Sequence, residues 1–343
     1  MTVAEGLEPA ARTRLRVLSG HPIARFLLVR TGTGILTLLA LSVLVFLACS
    51  VLPGDAASQI LGRKATGEQL AQLQAELGLD RPLWQQYLSW LGGILHGDLG
   101  NSVAGHATGA EVSVWSLVQA EVMNSLTLAA IAFVPIVLVS LALGSWGALR
   151  HGRWTDHVIS ALTLVPAALP EFVVGALFIA VGFSWLGWFP PVSLIPPGSS
   201  ALSSPEILVL PVLTLLAVTV GPASRMIRAG MLESLRSEWV RAARLNGVPE
   251  RRVIVGYALR NALAPSIQVF ALIAQYLIGG LIVVEYLFDY PGLGKELVSA
   301  VNVRDSIEVQ SLTMLLATAV VAATIIADLL VILMVPRLRT EWS

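Results

Sequence analysis

Apolar residues in this chain fall in long blocks. Six of them, at about residues 31–52, 125–149, 158–186, 207–226, 266–288 and 311–335, hold roughly twenty or more predominantly apolar positions each, enough for a helix to cross the hydrocarbon core of a bilayer. The pattern predicts an all-α polytopic membrane protein with six transmembrane helices. Pro135, Pro166, Pro170, Pro211 and Gly279-Gly280 interrupt the blocks, which membrane helices tolerate because neighbouring groups re-satisfy the freed backbone. Kinked helices along a moving path and ordinary bundle packing fit these interruptions equally well.

Amphipathic patterns lie between the blocks. Residues 53–124 are too long for a mere connector. Within them TGEQL, from Thr66, reads as a helix start, Leu70, Leu73 and Leu77 follow at helical spacing, and Gly78 reads as the stop. Next, RPLWQQYLSWL sets Leu83, Trp84, Tyr87, Leu88 and Leu91 on one face, expected on the membrane surface or against a partner. Residues 189–205, rich in Pro and Ser, read as a loop. After the fourth block, Leu235, Trp239 and Ala243 recur every four residues beside Val240, predicting a short helix ending near Asn246. Gly247 then supplies a bend, and Pro249-Glu250 opens a second helix leading into the fifth span.

Composition agrees with the blocks. Apolar residues make up 55% and charged residues 13%, against about a quarter charged in soluble domains, and the mean hydropathy is +0.77. A net charge of zero conceals an asymmetry that orients the chain, because Lys and Arg collect on the cytoplasmic side. With the N-terminus inside, 17 of the 22 basic residues fall in inside segments, and only Arg63, Lys64, Arg81, Lys295 and Arg304 lie outside. Both termini are therefore expected in the cytoplasm. Residues 1–25 read as an N-terminal tail, 26–52 as helix one, 53–124 as an external segment, and 125–339 as a core of helices two to six with a cytoplasmic loop at 227–265. The first block is long for a signal peptide and is followed by Pro53-Gly54-Asp55 instead of a cleavage pattern, so it reads as a retained span. A lone Cys49 excludes an intrachain disulfide and a cysteine-rich metal site.

Catalytic signatures are missing from the sequence. A phosphate-cradling G-x-x-x-x-G-K-[ST] does not occur; Gly292-Leu-Gly294-Lys295-Glu296 lacks the upstream glycine spacing and the hydroxyl. Gly182-Phe-Ser184-Trp-Leu-Gly187 misses the nucleophile elbow by one residue. The five histidines, His21, His96, His106, His151 and His157, form no pair at helical spacing with a Glu partner, so no metal site is expected. Three acids lie in or near spans: Glu171, Glu285 and Asp328. Such groups are expensive in lipid and line a path or gate, or make a packing contact. Glu285, close to the interface, reads as packing, while both readings stay open for Glu171 and Asp328. A proton-coupled secondary transporter would use such acids, but it would also show symmetry between its halves, and no convincing repeat occurs.

The loop at 238–265, EWVRAARLNGVPERRVIVGYALRNALAP, carries a further signal. Its spacing Ala242-Ala243-x-x-x-Gly247, with Leu259 and Pro265 downstream, resembles the "EAA" loop of permease subunits of binding-protein-dependent ABC importers, in the version of the dipeptide/oligopeptide/nickel permeases. VFLACSVLPGDAA, LGLDRPLWQQYLSWLGGILHGDLGNSV, VVEYLFDYPGLGKEL and ADLLVILMVPRLR extend the likeness in order from about Arg25 to Arg339. The chain looks like the first, B-type, permease of the pair. Arg241 stands where the general motif has Glu, Arg260 where it often has its first Pro, and Val335 where the tail usually has Asp.

The resemblance implies a type I ABC importer permease fold in the bacterial cytoplasmic membrane. It implies pairing with a second homologous permease, two ATPase subunits that bind ATP and Mg, and an extracytoplasmic substrate-binding protein. This chain would bind no cofactor and no nucleic acid and would catalyse nothing. The resemblance also assigns ATPase docking to Arg241, Ala242, Ala243, Arg244, Gly247, Glu250 and Arg251. Dipeptides or oligopeptides are the leading substrates, with nickel or another small solute as the alternative. The residues alone fit equally a basic amphipathic helix lying on anionic lipid headgroups.

Overall fold

The computed structural model describes residues 22–51, 66–76, 80–103, 112–196 and 199–334. The expected N-terminal tail up to residue 21, the Leu77-Gly78 stop, Arg63, Lys64, His21, His106 and the tail from Val335 lie outside the described residues. Twelve helices are named here in chain order: α1 (Pro22–Val51), α2 (Gly67–Glu76), α3 (Leu83–Leu95), α4 (Val114–Leu149), α5 (Trp154–Ala167), α6 (Glu171–Ile179), α7 (Glu206–Leu235), α8 (Glu238–Leu245), α9 (Glu250–Arg252), α10 (Arg260–Leu287), α11 (Leu293–Val303) and α12 (Ser306–Met334). A π-helical turn, Ala180–Trp185, extends α6, and another, Val253–Leu259, joins α9 to α10. Among the described residues the only β-pairing is an isolated bridge between Asn101 and Ser113.

Five helices, α1, α4, α7, α10 and α12, are long and apolar enough to cross a membrane. The third apolar block differs from its expected form as one span, because it divides into α5 and α6, bent by 102°. Proline explains the break. Pro170 has no N–H to continue the ladder, and its ring pushes Leu169 out of the α region. Counted as one broken span, the pair completes six.

The bundle is organised around α7. In its most apolar stretch 61% of residues are buried, against 17% in α1 and in α12. Ile207, Leu210, Leu215 and Val220 of α7 meet Leu128, Ala132 and Ile136 of α4 and Val269, Ile273, Leu277 and Leu281 of α10 in one core. At the end of the bundle that carries α11, Val114 and Val118 pack with Leu293, Ala300 and Leu312. Exposed Trp84, Trp185 and Trp188 mark this end, and Trp146 and Trp154 mark the other, the placement of interfacial tryptophans in membrane proteins.

The segment between α1 and α4 forms the two expected helices. Thr66 starts α2 with a capping box: its N–H donates to Gln69 Oε1 (3.1 Å) and its Oγ1 accepts from Gln69 N–H (3.3 Å). The second helix, α3, touches the bundle along one edge and turns the rest of its apolar face outward. Tyr87 stacks edge-on with Phe46 of α1 at 5.5 Å and shares a 2.9 Å hydrogen bond with Ser42. Leu83, Trp84 and Leu88 stay more than half exposed. An aromatic ring fixes α3 along a narrow edge, so its broad apolar face is left uncovered.

Candidate functional site

The sharpest local design is the turn after α8. Ser237 enters the helix in an extended conformation, Glu238 lies in the first turn and Arg244 in the last, each charge on the side favoured by the helix dipole. At the other end Val248 N–H donates to Ala243 O (3.1 Å) and Gly247 N–H to Arg244 O (3.0 Å). These are the two bonds of a Schellman motif. Gly247 has φ +71°, a left-handed conformation that a Cβ disfavours. The hydrophobic contact that accompanies such motifs is present: Val248 packs against Val240, Ala243 and Val253.

A salt bridge spans the bend. Arg244 reaches Glu250 at the start of α9 through Nη2–Oε1 (2.7 Å) and Nε–Oε2 (3.1 Å). Hydrogen bonding from Arg244 holds the Glu250 carboxyl below its usual range, and the carboxylate in turn raises the guanidinium.

Of the residues singled out in the loop, Arg241, Ala242, Arg244, Gly247, Glu250 and Arg251 lie exposed around the bend. Ala243 does not join them: it is 7% exposed and faces Val240 and Val253. The expected stripe of Leu235, Trp239 and Ala243 is turned by one position, so that Val240 and Ala243 point inward while Trp239 points out. The inward pair packs against Val248 and Val253. Leu245, 81% exposed, is an apolar feature of this surface that the stripe did not include. No added Cβ at Gly247 would meet another atom within 4 Å, so the bend is open to an incoming surface.

The three acids do not converge. Glu285, near the end of α10, is fully buried; Ser125 Oγ donates to its Oε1 (2.5 Å) and Gly294 N–H to its Oε2 (2.7 Å). Ser125 Oγ also accepts the Leu293 N–H (2.9 Å), and Asn124 Nδ2 donates to Pro291 O (2.8 Å). Glu285 thus serves the free amides at the start of α11, a packing role. Asp328 of α12 pairs with Arg30 of α1. Glu171, in the first turn of α6 beside the break, differs from both: its Oε1 is buried and has no hydrogen-bond partner. That atom lies against Gly280 of α10, where an added Cβ would come within 3.0 Å of it.

Comparison with known proteins agrees with this architecture. The family model "Binding-protein-dependent transport system inner membrane component" matches residues 140–340, and the corresponding N-terminal model matches 23–129. The oligopeptide transport system permease protein AppB of Bacillus subtilis is 32% identical over 319 residues, covering 92% of this chain and 100% of the relative. A putative peptide transport system permease protein of Brucella abortus is 33% identical over 315 residues (92% and 99%). The dipeptide transport system permease protein DppB of Escherichia coli K12 is 31% identical over 339 residues (92% and 98%). A helical bundle with five spanning helices and a broken sixth, matched along nearly its whole length, belongs to the family of binding-protein-dependent transport system inner membrane components.

Proposed function

We propose that this permease serves an ATP-driven importer of dipeptides or oligopeptides. It forms half of a translocation pathway with a second homologous permease and takes its motion from separate ATPase subunits through α8 and the bend that follows. ATP and Mg bind on those subunits, and an extracytoplasmic binding protein delivers the cargo. The α8 end and both termini face the cytoplasm, in keeping with the concentration of arginine at 225–260. Relatives named for peptide transport support the substrate class.

The observation that carries the docking assignment is the preset bend. Schellman bonds and the Val240–Ala243–Val248–Val253 cluster fix the backbone from inside. They leave Arg241, Ala242, Leu245 and the open side of Gly247 for a partner. Gly247→Asp places a carboxylate on that open side. In a complex reconstituted with both permeases, ATPases and binding protein, the variant should insert normally yet lose substrate-stimulated ATP hydrolysis. Normal stimulation would remove the docking assignment. Uptake of labelled dipeptides into proteoliposomes tests the cargo, and uptake of nickel without peptide uptake would replace it.

A further inference from the structure

At the α8 end of the bundle, Arg228 of α7 grips Asp156 of α5 like a fork. Nε donates to Oδ1 (2.8 Å) and Nη2 to Oδ2 (2.6 Å). Asp156 is 3% exposed, and its Oδ2 also accepts Gly152 N–H (3.1 Å) from the turn between α4 and α5. His151 completes the group, with Nδ1 at 2.9 Å from Arg228 Nη2 and 3.5 Å from Asp156 Oδ2.

A second contact joins the same two helices further along. Gly221 of α7 lies so close to α5 that an added Cβ would stand 2.3 Å from the Thr163 carbonyl oxygen. Gly221 and Arg228 are about two helical turns, or roughly 10 Å, apart. One contact alone would let α5 swivel on α7, but two fix its direction. The fork resists rotation because a planar guanidinium bound at both carboxylate oxygens sets an angle as well as a distance.

Two connections extend this rigid pair. Towards α8, Arg236 and Ser237 alone separate the helices, and Ser237 is folded back onto Ser234 through its N–H (3.2 Å) and Oγ (2.6 Å). Away from it, α5 runs about three turns from Asp156 to the break, where Glu171 begins α6. We infer that Asp156 and Arg228 are a positioning pair that carries displacement of α8 to the broken span and so to Glu171. The inference rests on the reading of α8 as the coupling helix.

Arg228→Lys tests it, since it keeps the charge and loses the fork. In the reconstituted complex the ratio of stimulated to basal ATP hydrolysis should fall about fivefold or more, the lower range of allosteric coupling effects. Spin labels at the exposed Leu138 of α4 and Leu177 of α6 should show an ATP-dependent distance change with Arg228 and little or none with Lys. Asp156→Asn, which keeps an acceptor for Gly152, should give the same two losses and serves if Arg228→Lys fails to assemble. Native stimulation together with a native distance change in either assembled variant overturns the inference. Gly247→Asp in the same assay separates the two levels. If it abolishes stimulation while Arg228→Lys retains it, the positioning pair fails alone; if Gly247→Asp is itself stimulated normally, the coupling-helix reading fails.

Discussion

The carboxylate of Glu285 accepts the amide of Gly294 at 2.7 Å inside a fully buried pocket, so a residue at the end of α10 caps a helix that begins after a turn. Glu285→Ala would leave that amide and the Ser125 hydroxyl without their acceptor. Buried unsatisfied groups cost about 1–3 kcal/mol each, and the detergent-purified complex should melt at clearly lower temperature. An unchanged melt would mean that other groups replace the carboxylate.

Gly247 separates backbone conformation from surface contact. Its φ of +71° predicts the order Gly, Asn, Ala, Val for retained activity, because Asn tolerates the left-handed region and a branched Cβ does not. Each unfavourable side chain should weaken the bend by about 1–2 kcal/mol, read as reduced stimulation of ATP hydrolysis at equal protein level. If Asn and Val behave alike, the conformation is not what the position requires.

Glu250 gives the bend a pH dependence. Arg244 holds its carboxyl below the ordinary 4.5, so the bridge is complete above that value and its contribution disappears as pH falls through the lowered one. A spin label at Leu245 should gain mobility on acidification, and Glu250→Gln should be mobile at every pH. Because both partners are exposed, the effect should shrink in high salt.

Asp328 and Arg30 tie α12 to α1. Asp328→Asn should lower stability by about 1 kcal/mol, the scale of polar contacts between membrane helices, without altering which substrates are transported. The exchanged pair Arg30→Asp with Asp328→Arg should recover most of that loss; a selective change in cargo would point to a pathway role instead.

Of Glu171, Glu285 and Asp328, Glu171 is the one with a buried oxygen that lacks a hydrogen-bond partner. If it faces the pathway, Glu171→Gln should slow uptake of cationic peptides about tenfold relative to neutral ones, the equivalent of about 1.4 kcal/mol. Equal slowing of both classes would identify a packing contact.

The spans were legible in the sequence because twenty consecutive apolar residues leave little choice of structure. The break at Pro170 was not: Pro166 and Pro170 were visible, but a proline permits a kink, a break or mere packing, and neighbouring helices decide among them. Glu285 and Asp328 show the same limit, since their partners Gly294 and Arg30 are set by the fold. At α8 the periodicity found the helix and the bend, yet Ala243 neighbours both Trp239, four residues away, and Val240, three away, on the helix surface. Contact with Val248 and Val253, which lie beyond the bend, shows that Val240 and Ala243 turn inward while Leu245 is left bare.

The turn after α8 is closed by its own hydrogen bonds and its own small cluster of valines. A loop already in its bound shape loses little conformational entropy on association. Under the proposed docking, little of the contact energy at this surface would be offset by ordering the loop. An ATPase subunit would then meet a bend that is already formed.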